Sequence, residues 1–311
     1  MVNGTLLSIL FLSGISDQPN LQLPLFLIFL HIYCMTLVGN LLIIVLVVID
    51  SHLHTPMYFF LANLAFLDLC SASLTTPRML FDLITNNWKM SVPACLTQVY
   101  FFILLVTTEI LLLAVMSFDR YVAICRPLHY VQIMHWKACI QLAVSVWTLC
   151  IVYSLVHILI TLRLTFCDSN IVQSFFCDLP KLFQISCTDV FINILTIFLL
   201  GGLVEMVFVL MTFIPYITVF STVLKIKEKD KRFKAFSTCS SHLTVAFVFY
   251  GTLTFNYFKP SDKYQYTTDR LASVFYTTIT PLLNPLIYSL RNHELKAAIK
   301  RMYKACDFSN I

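Results

Sequence analysis

Asp119 and Arg120 stand side by side at the end of a long apolar run, within MSFDRYVAICRPLHY at 116–130. No His-Glu-x-x-His, phosphate loop or Gly-x-Ser-x-Gly accompanies them, so the pair lacks the companions that catalysis needs. What an adjacent acid and base can do is latch: a charge is held until its surroundings move. Three more acids, Asp68, Glu109 and Glu205, lie inside otherwise uncharged stretches. In a bilayer core each costs about 2.5–3.5 kcal/mol, so each is expected to face protein and to have a partner. Asp68 and Glu109 fall at similar depth if neighbouring segments run antiparallel, with Asn40 and Asn284 near the same level. Such a cluster suits water or a cation held between helices. Protonated carboxyls hydrogen-bonded in a structural core are the other reading.

The cysteines form a second set. Cys95 begins an apolar segment, and Cys167, Cys177 and Cys187 follow in the longest loop. Four cysteines on one side allow three pairings. A bond from Cys95 would pin that loop across the mouth of a helical bundle, and an unstrained bond stabilises by about 2–4 kcal/mol. A zinc site is the rival, weakened by the lack of a close Cys-x-x-Cys pair. Cys34, Cys70, Cys125, Cys139, Cys150, Cys239 and Cys306 suit packing as small hydrophobes. Cys306 is also a candidate for acylation.

The elements that position these residues follow from composition. The chain is 59% hydrophobic and 12% charged, with 27 Phe. A soluble domain carries about a quarter charged residues, so the solvent here is a bilayer. Charge-free gaps, or gaps holding one acid, mark the centres of seven spans, which run over about 23–49, 56–80, 95–121, 138–162, 190–224, 235–258 and 270–290. Each reaches the ~20 residues that cross the hydrocarbon as a helix. No alternating strands of a β-barrel appear. The expected fold is thus an all-α, seven-transmembrane helix bundle over 1–311, a single domain without repeat or linker.

Basic residues set the orientation. With the N-terminus outside, the inner loops and tail hold Arg120, Arg126, Lys137, the Lys/Arg of KIKEKDKRFK at 225–234, and Arg291, Lys296, Lys300, Arg301 and Lys304. That makes fourteen inside, against seven outside. The +5 net charge follows from this bias rather than from nucleic-acid binding. The first span acts as an uncleaved signal, and Asn3 in NGT is a glycosylation acceptor on the outer side. After the last span, 292–304 places Leu295, Ile299 and Met302 on one face, as in a short helix on the inner membrane surface. Gly201–Gly202, Pro215, Pro281 and Pro285 loosen the fifth and seventh spans. Cys95 and Arg120 are 25 residues apart, about 37 Å of helix, so the third span links the outer mouth to the inner latch. Inverted halves of a transporter and the filter of a channel are both missing.

Five motifs in order carry a resemblance: GN at 39–40, LHTPMYFFLANLAFLDLC at 53–70, DRYVAIC at 119–125, KAFSTCSSHL at 234–243 and PLLNPLIYSLRN at 281–292. Together the chain resembles an olfactory receptor, one of the rhodopsin-like (class A) G-protein-coupled receptors, over nearly its whole length. The resemblance implies that Arg120 is held by Asp119 at rest and released toward a G protein, with Tyr121, Tyr216, His242, Asn284, Pro285 and Tyr288 in the same switch. It implies bonds Cys95–Cys177 and Cys167–Cys187, and a sodium ion as the guest of Asp68 and Glu109; no other cofactor is expected. The implied partners are a small volatile odorant, membrane lipid and an olfactory-type stimulatory G protein that raises cyclic AMP. The implied location is the plasma membrane of olfactory cilia.

The odorant pocket of the family lies between helices three, five and six. Helical spacing turns Phe102, Ile103, Val106 and Thr107 toward it, with Ile197, Leu200, Gly201 and Val204 from the fifth span and Tyr250, Leu253, Thr254 and Tyr257 from the sixth. The alternatives are a non-olfactory class A receptor for another small ligand, or a membrane transporter that does not signal. Three departures from the family stand out. Ser117 and Phe118 replace Ala and Tyr before the Asp-Arg-Tyr, Pro215 replaces Ser, and Glu205 is not a usual family residue. Glu205 is read either as an ion-pair partner for a basic ligand or as a carboxyl hydrogen-bonded to a neighbouring helix.

Overall fold

The computed structural model describes residues 8–16, 18–167, 169–257 and 266–308. The helices are α1 (Gln22–Ile49), α2 (Pro56–Thr85), α3 (Val92–Cys125), α4 (Trp136–Thr161), α5 (Phe191–Leu224), α6 (Lys229–Tyr257), α7 (266–291) and α8 (His293–Phe308). Local chemistry sets their ends. Thr55 is extended and Pro56 opens α2, where its missing N–H costs nothing. Asn86 closes α2 in the left-handed region at φ 52°, a conformation that Asn tolerates. The Ser91 hydroxyl caps α3 by accepting from the Ala94 N–H at 3.4 Å.

α3 is the axis of the bundle: 67% of its most apolar stretch is buried, against 28% for α4. α2, α4 and α5 pack around it, and α1 closes against α2 and α7. Gly39 lets α1 approach α7, since a Cβ there would lie 3.2 Å from the Pro285 ring. On the outside, Val38, Ile49, Leu159 and Ile217 are each more than 60% exposed, among many large apolar side chains. A water-facing protein does not carry a belt of that extent. α1 to α5 are each long and apolar enough to cross a bilayer.

Two helices contain wide turns, Ile197–Gly202 in α5 and Phe275–Ile279 in α7. The second stands just before Pro281, which has no N–H to return to Thr277. The Thr280 hydroxyl donates to the Phe275 carbonyl at 3.3 Å there.

Three features differ from the sequence expectation. A small sheet, β1 (Ile9–Leu12), β2 (Lys89–Ser91) and β3 (Ile171–Val172), lies against the outer end of α3 in the order β2-β1-β3. β1 pairs antiparallel with β2 and parallel with β3. Strands of two to four residues are too short to show a period, and their pairing is long-range. α6 begins at Lys229, inside the stretch read as the inner loop, because Lys, Glu and Arg extend a helix readily in water. The face of α8 that was expected to meet lipid meets protein instead. Leu295 and Ala298 are buried in the main core, with Ile299 and Met302 packed against it.

Candidate functional site

At the outer end, Cys95 is bonded to Cys177 with Cα atoms 5.4 Å apart, and Cys167 to Cys187 at 5.9 Å. The backbone N–H of Cys177 also donates to the Gln98 side chain at 2.9 Å, so the loop is fixed to α3 twice. Phe175 and Phe176 hang inward from this loop.

From there a continuous series of rings descends through the bundle. Phe176 meets Phe102 of α3 at 5.2 Å between centroids, Phe102 meets Tyr276 of α7 at 5.8 Å, and Tyr276 meets Phe249 of α6 at 6.0 Å. Phe249 and Tyr250 then lead to Phe213 of α5. The Tyr250 hydroxyl pairs with that of Thr212 at 3.1 Å and donates to the Ile110 carbonyl at 3.4 Å. It thereby ties α6 to α5 and α3 at one level. Ile103 and Ile197 pack on the outer cluster and Val106 on the main core. Leu253 is buried, and the Thr107 hydroxyl is used on its own helix, at Ile103. Gly201 faces the Tyr153 hydroxyl of α4, Val204 and Glu205 are half-buried, and Leu200 turns to the exposed side of α5. Thr254 is exposed as well. These two departures reflect the wide turn in α5 and the rotation of α6 about its buried Tyr250 and Leu253. The Tyr257 side chain, Asn3 and the Cys306 side chain lie outside the described residues.

Deeper, polar groups gather between α1, α2, α3 and α7. The Asn284 amide donates to both Asp68 carboxylate oxygens, at 3.0 and 3.1 Å. Asn40 donates to the carbonyls of Thr36 and Pro281, each at 3.0 Å. Beside them a cavity of about 20 Å³, room for one water, is lined by residues including Thr75, Phe102, Val106, Glu109, Tyr276 and Thr280. Among the described residues, Glu109 Oε1, Thr75 Oγ1, Asn40 Oδ1 and Asn284 Oδ1 are buried without a hydrogen-bond partner. Unsatisfied oxygens of carboxylate and amide type fit a hard cation. The three oxygen-bearing side chains Asp68, Glu109 and Asn284 are the ones that would hold it.

At the inner end, Asp119 is completely buried. Its Oδ2 accepts from Arg120 Nε at 2.9 Å and from a second guanidinium nitrogen, and its Oδ1 accepts from the Tyr130 hydroxyl at 2.9 Å. Burial first, and then the charge of Asp119, push the Tyr130 phenol above its ordinary range. Tyr216, Val219, Val223 and Cys239 form a cluster against Tyr121. The Tyr288 hydroxyl meets His242 Nδ1 at 3.4 Å, and the Tyr58 hydroxyl donates to Asn292 at 3.0 Å. Pro285 stays within the helical run of α7, and Pro215 within that of α5.

Sequence reasoning passed over Tyr130, which lies eleven residues beyond Asp119 across a bend where helical spacing no longer applies. It also passed over Thr212, Phe249 and Tyr276, whose apolar or hydroxyl side chains look like ordinary helix filling. Ser117 has a clear partner, donating to the Thr212 carbonyl at 2.6 Å. Phe118 is 44% exposed and points away from the latch, so the phenol missing there is not missing from the switch.

A sequence profile described as olfactory receptor matches residues 29–305. The chain belongs to the olfactory receptor family. It is 44% identical to human olfactory receptor 5B12 over 301 residues, covering 97% of this chain and 96% of that one. It is 47% identical to gorilla olfactory receptor 1G1 (96% of each chain) and 46% identical to the chicken olfactory receptor-like protein COR4 (94% and 93%). In three dimensions this olfactory receptor is similar to the crystal structure of squid rhodopsin, with a TM-score of 0.67 and 17% identity over 94% of this chain and 87% of that one. The rhodopsin fold, the apolar belt and family membership make it a membrane protein of the G-protein-coupled receptor class, a signalling receptor and not an enzyme.

Proposed function

We propose that this receptor binds a small volatile odorant between α3, α5 and α6 and passes the event through α3 to a stimulatory G protein, raising cyclic AMP. In this reading seven helices, α1 to α7, cross the plasma membrane of an olfactory cilium, with the N-terminus outside and α8 inside. The observation that carries it is the continuity of α3. One helix bears the disulfide to the outer loop, Phe102 and Val106 beside the ring series, and the Asp119–Arg120 latch. Its links to α5 and α6, Ser117 to Thr212 and Thr212 to Tyr250, lie between pocket and latch.

A ligand lodged among mostly apolar walls is held by shape and by a few hydroxyls. A change in the spacing of α5 and α6 then reaches Tyr216 and the cluster against Tyr121. Asp68, Glu109 and Asn284 are the residues that would hold a sodium ion in the resting arrangement, where its positive charge would offset the two buried carboxyl groups.

The pocket is tested by cyclic AMP dose–response curves at matched surface expression, using odorants that activate the native receptor. Phe102→Ala or Leu253→Ala removes a wall, and one lost apolar contact of about 1–3 kcal/mol corresponds to roughly 10- to 200-fold in potency. Unchanged potency in both variants would place the ligand elsewhere.

A further inference from the structure

We propose that the ligands of this receptor are protonated amines and that Glu205 is their counter-ion. The inference rests on the pocket reading above and names the class of molecule the pocket takes. Helical register places Glu205 first. Thr212, Tyr216, Val219 and Val223 are the buried stripe of α5, and Glu205 lies seven residues, two turns, before Thr212 on that stripe. It therefore faces the bundle about 10 Å outward of the Thr212–Tyr250 contact, on the ligand side of that tie.

Glu205 is half-buried and makes no hydrogen bond or ion pair among the described residues. Gly201, four residues before it, faces the Tyr153 hydroxyl of α4, so this stretch of α5 lies against α4 as well as against the bundle interior. Arg163, the cation just beyond α4 on the same side, is spent on Asn193 and on the Asp189 carbonyl, at 2.9 and 3.0 Å. Of the other intramembrane acids, Asp68 takes Asn284 and Asp119 takes Arg120, while Glu109 lines the polar cavity between α2, α3 and α7. Glu205 thus presents a carboxyl on the inward stripe of α5, without a group among the described residues to balance it. That combination selects a cation. The carboxylate receives a charge-assisted N–H bond while ring faces stabilise the ammonium, and the alkyl tail runs along apolar walls.

The probes are hexylamine, heptylamine and octylamine beside the matching alcohols, on cells displaying the full chain, with surface level measured by an outer tag. On the native receptor the amines are expected to be the more potent series. Glu205→Gln should raise their half-maximal concentrations at least about ten-fold while moving the alcohols little, and Glu205→Asp should keep the amine preference. Equal potency of the two series on the native receptor, absence of an amine response from displayed receptor, or an equal loss of both series in Glu205→Gln would each overturn the proposal. Phe102→Ala separates it from the pocket reading. If that variant leaves both series untouched while Glu205→Gln still removes the amines, the pocket is misplaced and the counter-ion stands. If Phe102→Ala weakens both series and Glu205→Gln does not discriminate between them, the pocket stands and the counter-ion falls.

Discussion

Tyr130 holds one oxygen of Asp119 while Arg120 holds the other. A hydrogen bond to a charged group contributes about 1.5–3 kcal/mol. Removing it should leave Arg120 less firmly placed and shift the resting balance toward the active state by roughly ten-fold. Tyr130→Phe is therefore expected to raise ligand-free cyclic AMP at equal surface expression; a basal level identical to the native receptor would remove Tyr130 from the latch. The two neighbouring departures from the family behave oppositely. Ser117→Ala loses a buried bond to α5, so the purified receptor should be less stable by about 1 kcal/mol in thermal unfolding. Phe118→Tyr, on an exposed face, should stay within about 0.5 kcal/mol. At this scale the charged residues stood out in the sequence, because charge in an apolar run is conspicuous. It could not find Thr212 or Phe249, whose importance lies only in which neighbours they touch.

α8 is tied to the loop after α1 by one carboxylate, Asp50. Arg301 donates to Asp50 at 2.8 Å, and the ring and backbone N–H of His52 reach the other oxygen of the same carboxylate at 2.9 and 3.0 Å. Burial alone would raise the Asp50 carboxyl, but the bonds from Arg301 and His52 outweigh it and hold it at about 2, below its ordinary 3.8. A depressed carboxylate stabilises the folded arrangement above its unfolded value and ceases to do so as pH falls through the folded one. The tie between α8 and the loop after α1 should accordingly be complete above about pH 4 and lost as pH falls through about 2. A spin label at Tyr303→Cys, an exposed position, reads this directly. Its spectrum should sharpen only in that acid window, and in the added presence of Asp50→Asn it should be mobile already at neutral pH. Pinning of α8 that ignores both changes would leave its apolar face as the sole anchor. The long helices were legible from charge-free runs because bilayer crossing imposes a length. The outer sheet was not, since its strands are fixed by partners far away along the chain, Ile9 by Ser91 and Phe11 by Ile171 among them. The first turns of α6 were not, since a charged run reads equally as loop or solvated helix.

The molecule as a whole is built around α3, with a disulfide-tied cap at one end, an ion pair at the other, and a ring series and polar cavity between them. Family membership was legible because five motifs keep their order along the chain. Which side chains face inward was not, because helix rotation and the wide turns of α5 and α7 decide it. Leu200 and Glu205 lie on one helix, yet the first turns outward while the second falls on the inward stripe. The account makes α3 a single connection from ligand to G protein, with Arg120 at its output. The most direct test measures ligand binding and cyclic AMP together in Arg120→Ala at native surface levels. The account predicts that the variant keeps its odorant affinity and loses most of its cyclic AMP response. A response that survives Arg120→Ala at native strength would contradict it.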